Sequence, residues 1–135
     1  MSFLDRLQPL ALLILRLALG AIMIAHGWQK IAGHMHGIMG ALVHLHIPSW
    51  MAYLVVAAEF GGGILVVLGL LTRIAAFAIL VDMLVAIFKV HISHGLTGQM
   101  GFEFPLTCAA IAFSLILFGG GPISLDWLRG SKGAR

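Results

Sequence analysis

Residues 16–30, Arg-Leu-Ala-Leu-Gly-Ala-Ile-Met-Ile-Ala-His-Gly-Trp-Gln-Lys, decide the fold of this chain. Together with the apolar run that precedes them they form a helix long enough to enter a bilayer, whose core takes about 20 residues. Yet the stretch carries Arg16, His26 and Lys30. An ionisable group near the bilayer centre costs about 2.5–3.5 kcal/mol, so Arg16 is expected to turn into a bundle and to find acids there. At 100° per residue, Gly20, Met23 and Lys30 fall within about 40° of the Arg16 direction, and His26 lies about 80° to one side. One face of the helix is therefore small and basic.

The acids are few: Asp5, Glu59, Asp82, Glu103 and Asp126. Glu59 and Asp82 each interrupt another apolar run, so Arg16, Glu59 and Asp82 read as an intramembrane ion-pair set. Such a set locks helices together, and its buried acids can also take up and release protons; the two roles are compatible. The 135 residues are 61% hydrophobic and 10% charged, too apolar for a soluble surface, which makes the chain one membrane domain in a lipid bilayer. The net charge of +3 sits at the ends of spans, where basic residues set orientation, so nucleic-acid binding is set aside. The single cysteine, Cys108, excludes an intramolecular disulfide or a CxxC pair and reads as a small packing residue.

The first span is expected over about residues 9–32, with Pro9 in its first turn. Residues 33–49 are too short to span. Their apolar repeat at Ile38, Ala41, Leu42 and Leu45 predicts a short interfacial helix, closed by Pro48. The second span, about 50–71, holds Glu59 among Ala57, Ala58, Gly61 and Gly62, small residues spaced by four that allow close helix approach. Thr72 and Arg73 turn the chain into a third span, about 74–91, with Asp82 and then Lys89 on nearly the same face, ending at His91. A glycine-containing loop leads to a fourth span, about 103–119, in which Glu103, Thr107, Ala110 and Ser114 form a polar, small stripe suited to facing other helices. The tail Ser124–Leu128 carries Trp127 as an interfacial anchor, and a frayed basic end follows from Arg129 to Arg135. The expected fold is all-α: a polytopic four-transmembrane-helix bundle with a short interfacial helix between spans one and two.

Arg16-x3-Gly20, His26-Gly27-x2-Lys30, Glu59 with its following glycines, Gly69-Leu-Leu-Thr-Arg73, Asp82-Met83, Val90-His91, Gly101-x-Glu103-x-Pro105 and Gly121-x2-Ser124-Leu-Asp126 occur in that order. Together, over about residues 10–128, they resemble the DoxX family. The resemblance implies a small four-helix bacterial inner-membrane protein of membrane redox systems, some of whose relatives are oxidoreductase subunits linked to quinone. The loop histidines His34, His36, His44 and His46 depart from the family pattern.

Three candidate sites follow. His26, Lys30, His91 and Glu103 lie near the outer ends of their spans, opposite the termini, and donors and acids around an apolar pocket suit a quinone headgroup. In this reading His26 or Lys30 donates to a carbonyl, Glu59 relays protons with His91 and Glu103, and Arg16 with Asp82 forms the floor. The plain alternative is that these residues only snorkel to the interface. His26 and His91 also stand on different helices as possible axial haem ligands, without any covalent attachment motif. His34, His36, His44 and His46 match a metal site in ligand type, although residues two apart diverge by about 200° on a helix. The rival to a redox component is a metal or proton-coupled transporter or an assembly subunit. Arg6, Arg73, Arg129, Lys132 and Arg135 on one side against Lys30 and Lys89 on the other predict that both termini are cytoplasmic. A four-helix bundle of this size encloses little volume alone, which suggests a homo-oligomer or further oxidoreductase subunits as partners.

Overall fold

The computed structural model describes residues 2–132, with side chains through Gly130, and these are all-helical apart from turns and loops. After a single turn at Ser2–Asp5, helix α1 (Gln8–Gln29) is joined through Lys30–His34, kinked at Gly33, to α2 (Met35–His44). Helix α3 is Met51–Leu68, α4 is Thr72–Ala86 with a π-helical continuation to His91, α5 is Glu103–Phe118 and α6 is Leu125–Lys132. The stretches Gln8–His44, Met51–Leu68 and Thr72–His94 are each long and apolar enough to cross a membrane, and α5 is a shorter apolar helix. Chain direction breaks at Gly33, so α2 is a separate short helix, as the apolar repeat predicts.

The four long helices pack α1 on α3, α3 on α4 and α4 on α5, and α5 returns to α1 over a smaller contact. Leu19 and Met23, Val66, Ile79 and Met83, and Cys108, Ala112 and Leu115 fill the centre. Ile74, Phe77, Phe88, Phe113 and Phe118 point outward, which is stable only against lipid.

Glycine sets the α1–α3 distance. A Cβ at Gly63 would lie 2.9 Å from the Gly20 carbonyl oxygen and 2.9 Å from the Ile24 nitrogen, and one at Gly27 would lie 2.7 Å from the Phe60 nitrogen. Backbone meets backbone there, and it is contact of this kind that drives helix association where no hydrophobic effect operates. Of the two small-residue rows in α3, only one is packed, and it turns to α4 rather than to α1. Ala57 is exposed and Gly61 faces open space, whereas Ala58 is half-buried and Gly62 packs on Ile79.

The polar stripe of α5 corrects the reading that it faces other helices. Glu103, Thr107 and Ala110 are exposed and Ser114 is half-buried, while Pro105, Cys108, Ala109 and Ala112 make the buried face. Thr107 and Ser114 donate to the carbonyls of Glu103 and Ala110, one turn back. Those hydroxyls therefore need no partner helix. The tail is helical through Lys132 rather than frayed from Arg129, and Arg135 lies outside the described residues.

Candidate functional site

Two clusters of charge occupy the two ends of the bundle. At the end that holds the termini, Arg16 is 2% exposed, and its partners are carbonyls, not acids. Its Nε donates to Val66 O (2.9 Å), Nη2 to Val67 O (2.8 Å), and Nη1 to Gly120 O (2.9 Å) and to Ile123 O. The local sequence explains this. Helix α3 ends at Gly69 in the left-handed conformation (φ 67°), with Leu70 N donating to Leu65 O and Gly69 N to Val66 O, a Schellman close. That motif leaves the Val67 carbonyl, and one lone pair of Val66, without a donor. The planar five-donor guanidinium fits such a set of converging acceptors. Gly69 is required twice over, because a Cβ there would lie 2.6 Å from Arg16 Nη2 as well as at positive φ.

The same knot takes in Asp126. Its two carboxylate oxygens accept from Leu71 N (2.8 Å) and Thr72 N (2.9 Å), and its own amide donates to Gly69 O (2.9 Å). A residue of α6 thus caps the first turn of α4. Burial pushes the Asp126 carboxyl up, but the Thr72 and Leu71 amides and the charge of Arg129 outweigh it and hold it below the usual carboxylate range. The buried Thr72 hydroxyl stands beside this carboxylate without reaching hydrogen-bond geometry. Ser124 caps α6 in turn, accepting from Trp127 N at 3.2 Å. The order Gly69…Arg73 and Gly121…Asp126 was legible as a motif. Its role was not, because Asp126 serves residues 54 and 55 positions away.

At the outer end, Lys30 Nζ reaches both oxygens of Glu59. Glu59 is 4% exposed and the Lys30 side chain 18%. Asp82, half-buried on α4, lies close enough to Glu59 and Lys30 for their charges to act on it. This replaces the expected Arg16–Glu59–Asp82 set. The ammonium that α1 brings to the acids is Lys30, 14 residues and about 21 Å of helix beyond Arg16, so Arg16 cannot share a floor with Asp82. Lys89 is exposed and does not take Lys30's place.

Glu59 lies in a π-helical turn, Ala57–Gly61, a second such turn, Ile87–His91, follows Asp82 on α4, and Lys30 stands at the end of α1 just before the kink at Gly33. Turns of this kind widen a helix locally and occur often at functional sites. A cleft of about 250 Å3, lined by His26, Gln29, Lys30, His34 and Ile38, opens beside the Lys30–Glu59 pair. The His26 ring packs on Phe104 with centroids 5.2 Å apart, next to Glu103 in sequence. His91 Nδ1 donates to Met100 O at 2.8 Å, which fixes its tautomer and leaves Nε2 available. Glu103 is exposed in the first turn of α5, where its charge complements the helix dipole.

The loop histidines are not gathered. His34, His36, His44 and His46 are exposed, His34 Nδ1 donates to Gln29 O at 3.0 Å, and among the described residues no group of three or more His, Cys, Asp or Glu is placed to hold a metal ion.

Comparison with known proteins agrees with this architecture. The DoxX family model matches residues 11–92. The chain is 34% identical over 114 residues to a Bacillus subtilis (strain 168) protein named "Putative oxidoreductase CatD", covering 84% of this chain and 83% of that one. It is 30% identical over 129 residues to the Escherichia coli (strain K12) "Inner membrane protein YqjF", covering 94% and 98%. An uncharacterized Haemophilus influenzae protein is 30% identical over 134 residues, covering 93% and 96%. No solved structure matches significantly. The matched region takes in Arg16, Lys30, Glu59, Asp82 and His91, and the chain belongs to the DoxX family of membrane proteins.

Proposed function

We propose that this protein is a redox-associated component of the bacterial inner membrane that binds a quinone or a similar small molecule at its outer end. The observation that carries the reading is the Lys30–Glu59–Asp82 cluster, with Glu59 buried, beside the cleft that His26 helps to line. Two carboxylates face one ammonium, so uptake of a single proton by either acid neutralises the cluster. Quinone reduction consumes protons, and quinone carbonyls accept hydrogen bonds. In this proposal Lys30 and His26 donate to a headgroup carbonyl, Glu59 and Asp82 exchange the proton, and His91 and Glu103 connect them to the aqueous side. The cleft of about 250 Å3 suits a headgroup more than a whole drug-sized ligand, which takes about 300–1,000 Å3. The names of the Bacillus and Escherichia coli relatives support a redox association and the inner membrane.

Both termini are proposed to be cytoplasmic, on the lysine and arginine bias described above, and a homo-oligomer or further oxidoreductase subunits would complete the assembly. A proton-coupled transporter is the second reading, and the same excess of one acid over base inside the bundle favours it. Binding of a short-chain benzoquinone to protein in nanodiscs separates the two. Wild type should bind, with affinity about tenfold lower in Glu59→Gln and His26→Ala, one lost charge-assisted hydrogen bond's worth. Unchanged binding in both variants, with the fold intact, removes the quinone reading.

A further inference from the structure

A second cavity lies at the other end, away from the Lys30–Glu59–Asp82 cluster. It measures about 880 Å3 and opens sideways between the start of α4, the end of α5 and the tail helix α6. Leu12, Ile74, Phe118 and Trp127 supply apolar wall, and Arg73 stands at its side. Nothing said above gives it a role.

Its chemistry is that of an anionic amphiphile site. Arg73 is exposed, and among the described residues it makes no ion pair. Its guanidinium lies over Gly119, where a Cβ would stand 3.3 Å from Nε, so the glycine lets the charge rest against the cavity wall. The acid that shares the lining, Asp126, is committed to the Leu71 and Thr72 amides. Ile74 and Phe118 are strongly exposed, which continues the cavity wall into the lipid-facing surface. Trp127 sits at its rim, the depth at which indole rings are favoured.

We propose that this cavity binds one anionic phospholipid of the leaflet on the side of the termini, with the phosphate on Arg73 and an acyl chain along Ile74 and Phe118. Basic pockets between membrane helices take such headgroups, and a free phosphate would leave most of this apolar volume unfilled. The proposal is independent of the quinone reading.

The test is native mass spectrometry of the whole protein released from micelles containing phosphatidylglycerol, phosphatidylcholine or inorganic phosphate. Wild type should retain one phosphatidylglycerol about tenfold more strongly than phosphatidylcholine, and Arg73→Gln should lose that preference while keeping its thermal transition. Arg6→Gln, which removes a charge at the same end but outside the cavity, should keep it. Equal retention of the two lipids, an unchanged Arg73→Gln, an equal loss in Arg6→Gln, or phosphate binding as tight as the lipid would each overturn the proposal.

Discussion

The two ends of this bundle solve the same problem, a buried cation in a membrane, in opposite ways. At the termini end, Arg16 is surrounded by four carbonyl oxygens from α3 and the 120–123 turn, a fixed arrangement with no proton to exchange. At the outer end, Lys30 meets Glu59 with Asp82 behind it, an arrangement with an excess acid and a cleft beside it. Carbonyl dipoles build a clamp, whereas titratable groups build the candidate site. The difference follows from the side chains, since a guanidinium presents five donors in a plane and an ammonium is a compact point charge.

Removing the clamp should have the largest effect. Arg16→Ala strands buried carbonyls on two elements, and hydrogen bonds to a charged group are worth about 1.5–3 kcal/mol each. Unfolding in mixed micelles should show a loss of at least about 3 kcal/mol. Arg16→Lys should recover less than half of it, because one ammonium cannot span acceptors on both sides of the guanidinium plane. Full recovery by lysine would show that charge, not the fork, holds this end.

Next comes the outer cluster, where the two acids should behave differently. Glu59→Gln takes the carboxylate from Lys30 and should cost about 1–3 kcal/mol. Asp82→Asn removes a like charge and offers Glu59 a donor, so stability should hold or rise. Equal destabilisation by both would contradict the assignment of Glu59 as the partner of Lys30.

Next to the clamp, α1 and α3 meet at Gly20 and Gly63. Gly63→Ala should cost about 1–3 kcal/mol by overpacking, since its Cβ would press on backbone. Gly61→Ala faces open space and should be neutral or gain roughly 0.5–1 kcal/mol from helix propensity. Thermal shifts of the two variants in one detergent give the comparison, and a destabilising Gly61→Ala would mean that this face is occupied.

The smallest effect belongs to Asp126. Its carboxyl is held below the ordinary carboxylate range in the folded protein, so its contribution is present above the unfolded-state value and fades as pH falls through the depressed folded value. Asp126→Asn should lower stability by about 1 kcal/mol near neutrality, the usual worth of a cap, and the gap from wild type should narrow below about pH 4. A gap that stays constant into acid would show that the cap does not depend on the charge.

The fold was readable because membrane helices are written in long apolar runs, so four apolar helices and a short helix between the first two follow from residue order. Partner choice was less legible. Arg16, Glu59 and Asp82 were paired by charge, but α1 is long enough to separate Arg16 from both acids, and Lys30 at its far end is the ammonium that reaches them. What captures Arg16 is backbone carbonyl, which no sequence pattern of acids can reveal. The Asp126 cap was hidden for a related reason, since its acceptor role depends on a tail helix returning to the Gly69–Thr72 turn. The inward and outward faces of α5 were exchanged because Thr107 and Ser114 satisfy themselves within the helix.

Double-mutant cycles on unfolding free energy test the division between clamp and site most directly. The account predicts coupling of at least about 1 kcal/mol between Lys30→Met and Glu59→Gln, and additivity within about 0.5 kcal/mol between Arg16→Ala and Glu59→Gln. Coupling between Arg16 and Glu59, with none between Lys30 and Glu59, would contradict it.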